Sequence, residues 1–267
     1  RIWRFWANIC DKYFLSSFIK EGDIVVNFAA ESHVDNSISN SDAFIKSNIN
    51  GVQNLLNICR QNKAKLFVQV STDEIYGSLD FDSNSSKEED KVDPSSPYSA
   101  SKAAAEMLCL AAIKTFNQPV IITRSSNNFG PYQYTEKIIP LFITKLLNNE
   151  NVPVYGNGQN IRDWIFVEDN CRAIDFIIDN GKVGEIYNIG GGNEINNLDL
   201  TKILIHMLNQ DESKIEYVKD RPGHDLRYSL DCTKIKNMGW KPLYDFNLAI
   251  ENTIKWYRDN RNWWEKK

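Results

Sequence analysis

The sequence predicts an α/β protein: a Rossmann-like, doubly wound parallel sheet with a smaller C-terminal α/β lobe. Three observations carry that reading. Short β-branched apolar runs alternate with longer segments whose apolar residues recur at helical spacing. The runs are continuous and mostly apolar instead of alternating strictly with polar residues, as in strands covered on both faces. From about Asn127 the chain becomes richer in Asn, Gly and Pro with shorter elements, which read as loops of a second lobe.

The first clear strand is DIVVNFAA, Asp23 to Ala30, and the helix after it is SDAFIKSNINGVQNLLNICRQ, with Phe44, Ile45, Ile49, Val52, Leu55, Leu56 and Cys59 at helical spacing. KLFVQVS is the next strand. A polar insert follows, and then a helix that Ser96 and Pro97 open, SPYSASKAAAEMLCLAAIKTF, and the strand QPVIITR. Right-handed crossovers between such strands put their C-terminal ends on one edge, where an open α/β sheet binds its ligands. The expected division is residues 1–126 for the sheet domain, joined by later crossover segments, and 127–267 mainly for the smaller lobe. No low-complexity linker or internal repeat separates them.

Composition narrows the function. A chain of 267 residues with 42% hydrophobic residues has material for a large core. The net charge is -4 and Lys and Arg are scattered, which argues against nucleic acid or an anionic membrane surface as partner and for small molecules. No apolar stretch approaches the ~20 residues of a membrane span, and RIWRFWANICD lacks the features of a signal peptide. Cys10, Cys59, Cys109, Cys171 and Cys232 are widely spaced without a CxxC or Cys/His cluster, so they read as reduced core thiols of a cytoplasmic protein with no metal site. Trp3, Trp6, Trp256, Trp263 and Trp264 read as packing or terminal contacts, and Gly190 to Gly192 as a plain turn. His206 receives no role.

Two constellations carry chemistry. STDEIYGS, Ser71 to Ser78, sets Thr72, Asp73 and Glu74 at the C-terminal end of the run Leu66 to Val70, on the ligand edge. As a polar loop it is unremarked; as an acid beside a base it is a catalytic device. In YSASK, Tyr98 and Lys102 are four apart and share one helix face, so an ammonium there is expected to stabilise the phenolate and lower the tyrosine pKa.

The blocks NFAAESHVDNSI, STDEIYGS, PYSASKAAAE, SNNFGPYQYTEKIIPL, PVYGNGQNIRDWIFVED, YNIGGGNEINNLDL and DRPGHDLRY run in order along nearly the whole chain. In them the sequence resembles the extended short-chain dehydrogenase/reductase family and, within it, the dTDP-glucose 4,6-dehydratases. The Asp-Glu pair separates these from the sugar-nucleotide epimerases, which the chain resembles elsewhere.

The resemblance implies a bound NAD that is used and regenerated in each turnover, with Tyr98, Lys102 and Thr72 acting at the glucose 4-hydroxyl, Glu74 as base at carbon 5 and Asp73 as acid at the 6-hydroxyl. It implies that Asn8, Ile9, Ala29, Ala30, Glu31, Ser32, His33, Ser47 and Asn128 flank the cofactor, with Tyr98 and Lys102 on its ribose. Ser32, Thr72, Asn127, Lys137, Ile138, Pro153, Val154, Tyr155, Arg162, Asn197, Arg221 and His224 are implied at the nucleotide sugar. A homodimer through helices over Asp42 to Arg60 and Pro97 to Thr115 is implied as well. Substrates with uridine or cytidine in place of thymidine, an epimerase, and a catalytically dead binding fragment stay open as alternatives.

The chain departs from the family pattern in three places. The G-x-x-G-x-x-G turn of the first βαβ unit is absent, so that unit is expected to be missing from this chain, by truncation or as a natural fragment. Asn8 stands where an aspartate is usual, and Ser47 where a threonine is usual.

Overall fold

In chain order the computed structural model, which describes residues 5–265, contains α1 (Lys12–Phe18), β1 (Ile24–Asn27), α2 (Val34–Ser39), α3 (Asp42–Phe44), a π-helical turn (Ile45–Gly51), α4 (Val52–Gln61), β2 (Leu66–Thr72), a 3₁₀ turn (Asp73–Tyr76), α5 (Pro97–Phe116) and β3 (Val120–Ser125). Then come β4 (Asn127–Phe129), α6 (Ile138–Leu147), β5 (Val152–Tyr155), β6 (Ile161–Phe166), α7 (Val167–Asn180), β7 (Ile186–Ile189), β8 (Glu194–Asn196), α8 (Asn197–Met207), β9 (Ile215–Val218), α9 (Thr233–Asn237), α10 (Phe246–Asp259) and α11 (Arg261–Trp264). Trp3 lies outside the described residues.

The chain forms two units. The first holds the described residues up to Tyr76 with Lys91–Arg124 and Phe176–Tyr187, and the second holds Gly77–Asp90, Ser125–Asp175 and the described residues from Asn188.

In the first unit the strands run in the order β1-β2-β3-β7, with β1 and β2 parallel and Asn27 opposite Gln69. β1 is shorter than the expected run to Ala30, because Asn27 Oδ1 accepts from the Ala29 amide at 3.1 Å and turns the chain out of the ladder. Leu55, Leu56 and Cys59 of α4, Phe67 of β2, Ala105 and Cys109 of α5, and Val120 and Ile122 of β3 bury one another. Each Leu, Ile, Val or Phe side chain among them contributes ~1.5–3 kcal/mol on burial.

The helix expected after β1 is interrupted by the π-helical turn, whose last residue, Gly51, lies so close to Ile9 that a Cβ would collide with the isoleucine side chain. Ser96 and Ser99 close a capping box at the start of α5, Pro97 occupies its first turn, and Asn117 ends it in the left-handed region at φ 51°. This is the start that the sequence signalled.

The second unit holds a three-stranded sheet, β4-β6-β8, and a two-stranded one, β5-β9. β4 pairs with β6 and β5 with β9 in parallel, and β6 with β8 antiparallel. Its core joins Phe129, Phe142, Ile143, Val152, Val154, Trp164, Leu204, Ile250, Ile254 and Tyr257. The polar insert 77–90 clusters here because its backbone is taken up by this unit: the Leu79 amide donates to Arg227 O at 3.0 Å and the Ser86 amide to Ser229 O at 2.9 Å.

Three expectations change. Gly190 to Gly192 is more than a plain turn, because a Cβ on Gly191 would run into the Trp164 carbonyl and one on Gly190 would crowd Asp163. Of the cysteines, all free, Cys59, Cys109 and Cys232 are buried, but Cys10 is half-buried and Cys171 exposed, since Cys171 falls on the outer side of α7. Trp256, Trp263 and Trp264 pack on the second core, whereas Trp6 is fully exposed. Among the described residues no helix is long and apolar enough to cross a membrane, and no three His, Cys, Asp or Glu gather as a metal site.

Candidate active site

β2 delivers Thr72 to the sheet edge, and the chain at once winds into the 3₁₀ turn Asp73–Tyr76, closed by Gly77 at φ 79°. Thr72 Oγ1 donates to Asp73 Oδ1 at 3.2 Å and accepts from the Glu74 amide at 3.3 Å. It also meets the phenol of Tyr98. One hydroxyl proton therefore has two acceptors, Asp73 and Tyr98. Thr72, Asp73, Tyr98 and Lys102 are buried, and Glu74 is half-buried.

Lys102 follows Tyr98 by one turn of α5, but its ammonium points at the strand: Nζ donates to the Val70 carbonyl at 2.6 Å. Burial brings its pKa down to about 8, against the opposing pull of Glu106 and Cys109. The expected lowering of Tyr98 does not occur. Burial first and the Glu74 carboxylate second push the phenol well above its ordinary value, with Asp73 adding to them and only the Thr72 hydrogen bond opposing. The physical reason is geometric, since the carboxylates face the phenol while the ammonium is turned to the Val70 carbonyl of β2. In this state Tyr98 holds its proton.

The loop after β1 is fixed from behind by a residue that the sequence reading did not single out. Asn48, inside the π-helical turn, accepts from the Glu31 amide at 2.8 Å and donates to the Glu31 carbonyl at 2.9 Å. Its Nδ2 also donates to Ser101 Oγ at 2.9 Å, and Ser101 in turn donates to the Tyr98 carbonyl at 2.7 Å. One buried amide thus couples the loop carrying Ala29, Ala30, Glu31, Ser32 and His33 to the helix carrying Tyr98. π-helical turns recur at functional sites, and a polar residue in SNINGV was the available signal.

His33 caps α2, its Nδ1 accepting from the Asn36 amide at 3.3 Å. Asn8 is exposed and makes a local turn with the Cys10 amide at 2.8 Å, Ile9 packs near Gly51, and Ser47 is half-buried in the π-helical turn.

In the second unit Arg162, Arg221, His224 and Tyr155 come together. Arg162 lies over the Tyr228 ring at 4.2 Å and donates to the carbonyls of Ile161 and Asp225 at 2.7 and 3.1 Å. His224 Nδ1 sits 2.7 Å from Asp220 Oδ1 and edge-on to Tyr155 at 6.2 Å. Burial lowers the imidazole pKa, Asp220 opposes, and Arg221 and Arg162 lower it further, so the cluster already carries positive potential.

Asn127, Asn128 and Asn197 each hold a buried amide oxygen with no hydrogen-bond partner, a polar surplus suited to a ligand. Lys137 precedes α6, which begins at Ile138. Pro153 and Val154 lie on β5, but the Val154 side chain is locked in the core, so it can offer a ligand only its backbone.

A parallel-sheet unit with a buried Tyr-x-x-x-Lys helix and an acid-base turn at a strand end defines a short-chain dehydrogenase/reductase-type enzyme of nucleotide-sugar chemistry. The family model for GDP-mannose 4,6 dehydratase matches residues 4–253. A dTDP-glucose 4,6-dehydratase of an Actinoplanes species is 47% identical over 97% of this chain and 80% of its own. A dTDP-glucose 4,6-dehydratase of Streptomyces venezuelae, crystallised with NAD and TYD bound, superposes with a TM-score of 0.95 at 45% identity, covering 97% of this chain and 80% of that one. A UDP-glucose 4-epimerase of Thermotoga maritima reaches a TM-score of 0.90 at 25% identity, over 96% of this chain and 84% of its own. The chain belongs to the dTDP-glucose 4,6-dehydratase family.

Proposed function

We propose that this chain is an NAD-dependent hydro-lyase that converts dTDP-glucose to dTDP-4-keto-6-deoxyglucose and water in deoxysugar biosynthesis. The observation that carries the reading is the pair Asp73 and Glu74 at the Tyr98 phenol. Redox chemistry at carbon 4 needs one proton acceptor, but elimination across carbons 5 and 6 also needs a base and an acid on adjacent atoms.

The residues present fit the ribose end of NAD. An ammonium carries three donors, and buried Lys102 uses one, on Val70, so two donors remain for hydroxyl groups. Ala29 and Ala30 leave the backbone of their loop accessible, and Asn48 fixes its path. When bound, NAD would supply the acceptor for hydride from carbon 4 and the donor of hydride to carbon 6, and its positive charge would favour the ionised phenol.

Tyr98 takes the 4-hydroxyl proton, with Thr72 donating to the phenolate oxygen. Glu74 removes the proton from carbon 5, which the carbon 4 ketone has acidified. Asp73 protonates the 6-hydroxyl as its bond to carbon 6 breaks, and a proton returns to carbon 5, so water is the only loss.

In this proposal the cofactor-binding residues are Asn8, Ile9, Ala29 to His33, Ser47 and Asn128. Asn127, Lys137, Ile138, Pro153, Val154, Tyr155, Arg162, Asn197, Arg221 and His224 hold the nucleotide sugar with Ser32 and Thr72. The pairing of arginine and amide donors suits a diphosphate and a base. The working form is a homodimer through Asp42 to Arg60 and Pro97 to Thr115, segments on which Ile45 and Met107 stand exposed.

The test separates the two halves of the reaction. Glu74→Gln should keep oxidation at carbon 4, read as reduced-cofactor absorbance on adding dTDP-glucose, while solvent-deuterium incorporation at carbon 5 falls by ~10²- to 10⁴-fold. Tyr98→Phe should lose both signals. Glu74→Gln dehydrating at wild-type rate would overturn the assignment.

A further inference from the structure

An ion pair buried in the first unit has no part in the chemistry above. Arg124, at the end of β3, places Nε 3.2 and 3.1 Å from the two carboxylate oxygens of Glu106 and Nη2 2.7 Å from Oε2. Its Nη1 donates to the Tyr76 hydroxyl at 2.7 Å, and the guanidinium carbon lies 4.7 Å from the centre of the Tyr76 ring. The two charged side chains are 2% and 0% exposed.

Stability is a poor explanation for such a pair. Taking both charges out of water costs as much as their attraction returns, and well-packed apolar residues in their place often leave a protein as stable or more so. What a dry, forked guanidinium hydrogen-bonded through all three of its nitrogens does supply is fixed geometry. Here it fixes segments that matter. Glu106 lies on α5, one turn beyond Lys102, whose positive charge it favours. Tyr76 ends the 3₁₀ turn and stands two residues after Glu74.

We infer that Arg124, Glu106 and Tyr76 are positioning residues for the elimination step: Arg124, held by Glu106 on the helix of Tyr98 and Lys102, anchors Tyr76 and so aims the turn bearing Asp73 and Glu74. The inference rests on the dehydratase reading. The anchor acts on the base and acid of the second half-reaction, while Tyr98 keeps its own support through α5 and Thr72. A purely structural pair would instead affect both half-reactions together.

Tyr76→Phe removes one hydroxyl and keeps the ring against the guanidinium. With dTDP-glucose as substrate, kcat should fall ~10- to 100-fold at unchanged KM, the scale set by a hydrogen bond to a charged group. Solvent-deuterium incorporation at carbon 5 should fall in step, while reduced-cofactor absorbance from oxidation at carbon 4 still forms at the wild-type rate. Arg124→Lys, which keeps a positive charge beside Glu106 but gives up the planar fork that also holds Tyr76, should show the same split. Wild-type kinetics in both variants, or equal loss of both half-reactions with a lowered Tm, overturns the inference. Failure of the wild-type protein itself to dehydrate dTDP-glucose would overturn the functional reading instead.

Discussion

Replacing Lys102 by Met should change how stability depends on pH, by an amount the structure sets. Burial holds the Lys102 amine at about 8, against an ordinary value of 10.5. At pH 7 both folded and unfolded chains carry the proton, and the buried charge works against the fold by ~3 kcal/mol, from about 1.4 kcal/mol per pH unit. Between about pH 8 and 10.5 the unfolded chain still binds a proton that the folded chain has released. Stability from this group therefore rises with pH across that window, and at pH 10 the penalty has shrunk to ~1 kcal/mol.

Met fills the volume of the lysine stem without a charge, so its curve lacks this rise. Urea unfolding of wild type and Lys102→Met at pH 7, 8, 9 and 10 should show the wild type gaining ~2 kcal/mol relative to the variant. Burial pushes the Cys109 thiol so far up that the folded chain keeps its proton through this window with or without the nearby Lys102, so its contribution is common to both proteins. The loss of the hydrogen bond to Val70 offsets the curves without tilting them. Parallel curves from pH 7 to pH 10 would refute the depressed amine.

Two further outcomes follow from the sites. Arg162→Met keeps an unbranched side chain against Tyr228 and removes the charge, so KM for dTDP-glucose should rise ~10- to 100-fold with kcat little changed; steady-state kinetics with an unchanged KM would remove Arg162 from the diphosphate site. The protein should elute as a dimer at micromolar concentration, and Ile45→Glu with Met107→Glu should convert it to monomer; a wild-type monomer counts against the proposed pairing.

Much of the first unit was legible because it is local. Ser96 with Pro97 marks a helix start through capping geometry that spans only a few residues, and the helix begins there. Asp73 and Glu74 closely follow the largely apolar run Leu66 to Val70, so a strand end was readable from the hydrophobic pattern. The four-residue spacing of Tyr98 and Lys102 guaranteed a shared helix face.

What their charged ends do was settled only by tertiary contacts. Lys102 turns to a carbonyl 32 residues earlier in the chain, and Tyr98 meets carboxylates, so a spacing that suggested a lowered phenol belongs to a raised one. Asn48 reaches Glu31 and Ser101 across 17 and 53 positions, and Arg124 reaches Tyr76 across 48. Nothing in local pattern specifies such pairs. Cys171 and Val154 make the same point, one placed outside and one in the core by packing that the sequence does not announce. Backbone propensity acts over a turn or two and is written in neighbouring residues. The direction of a long polar side chain is set by whichever donors and acceptors the folded chain brings within about 3 Å, and that proximity exists only once the strands and helices have packed.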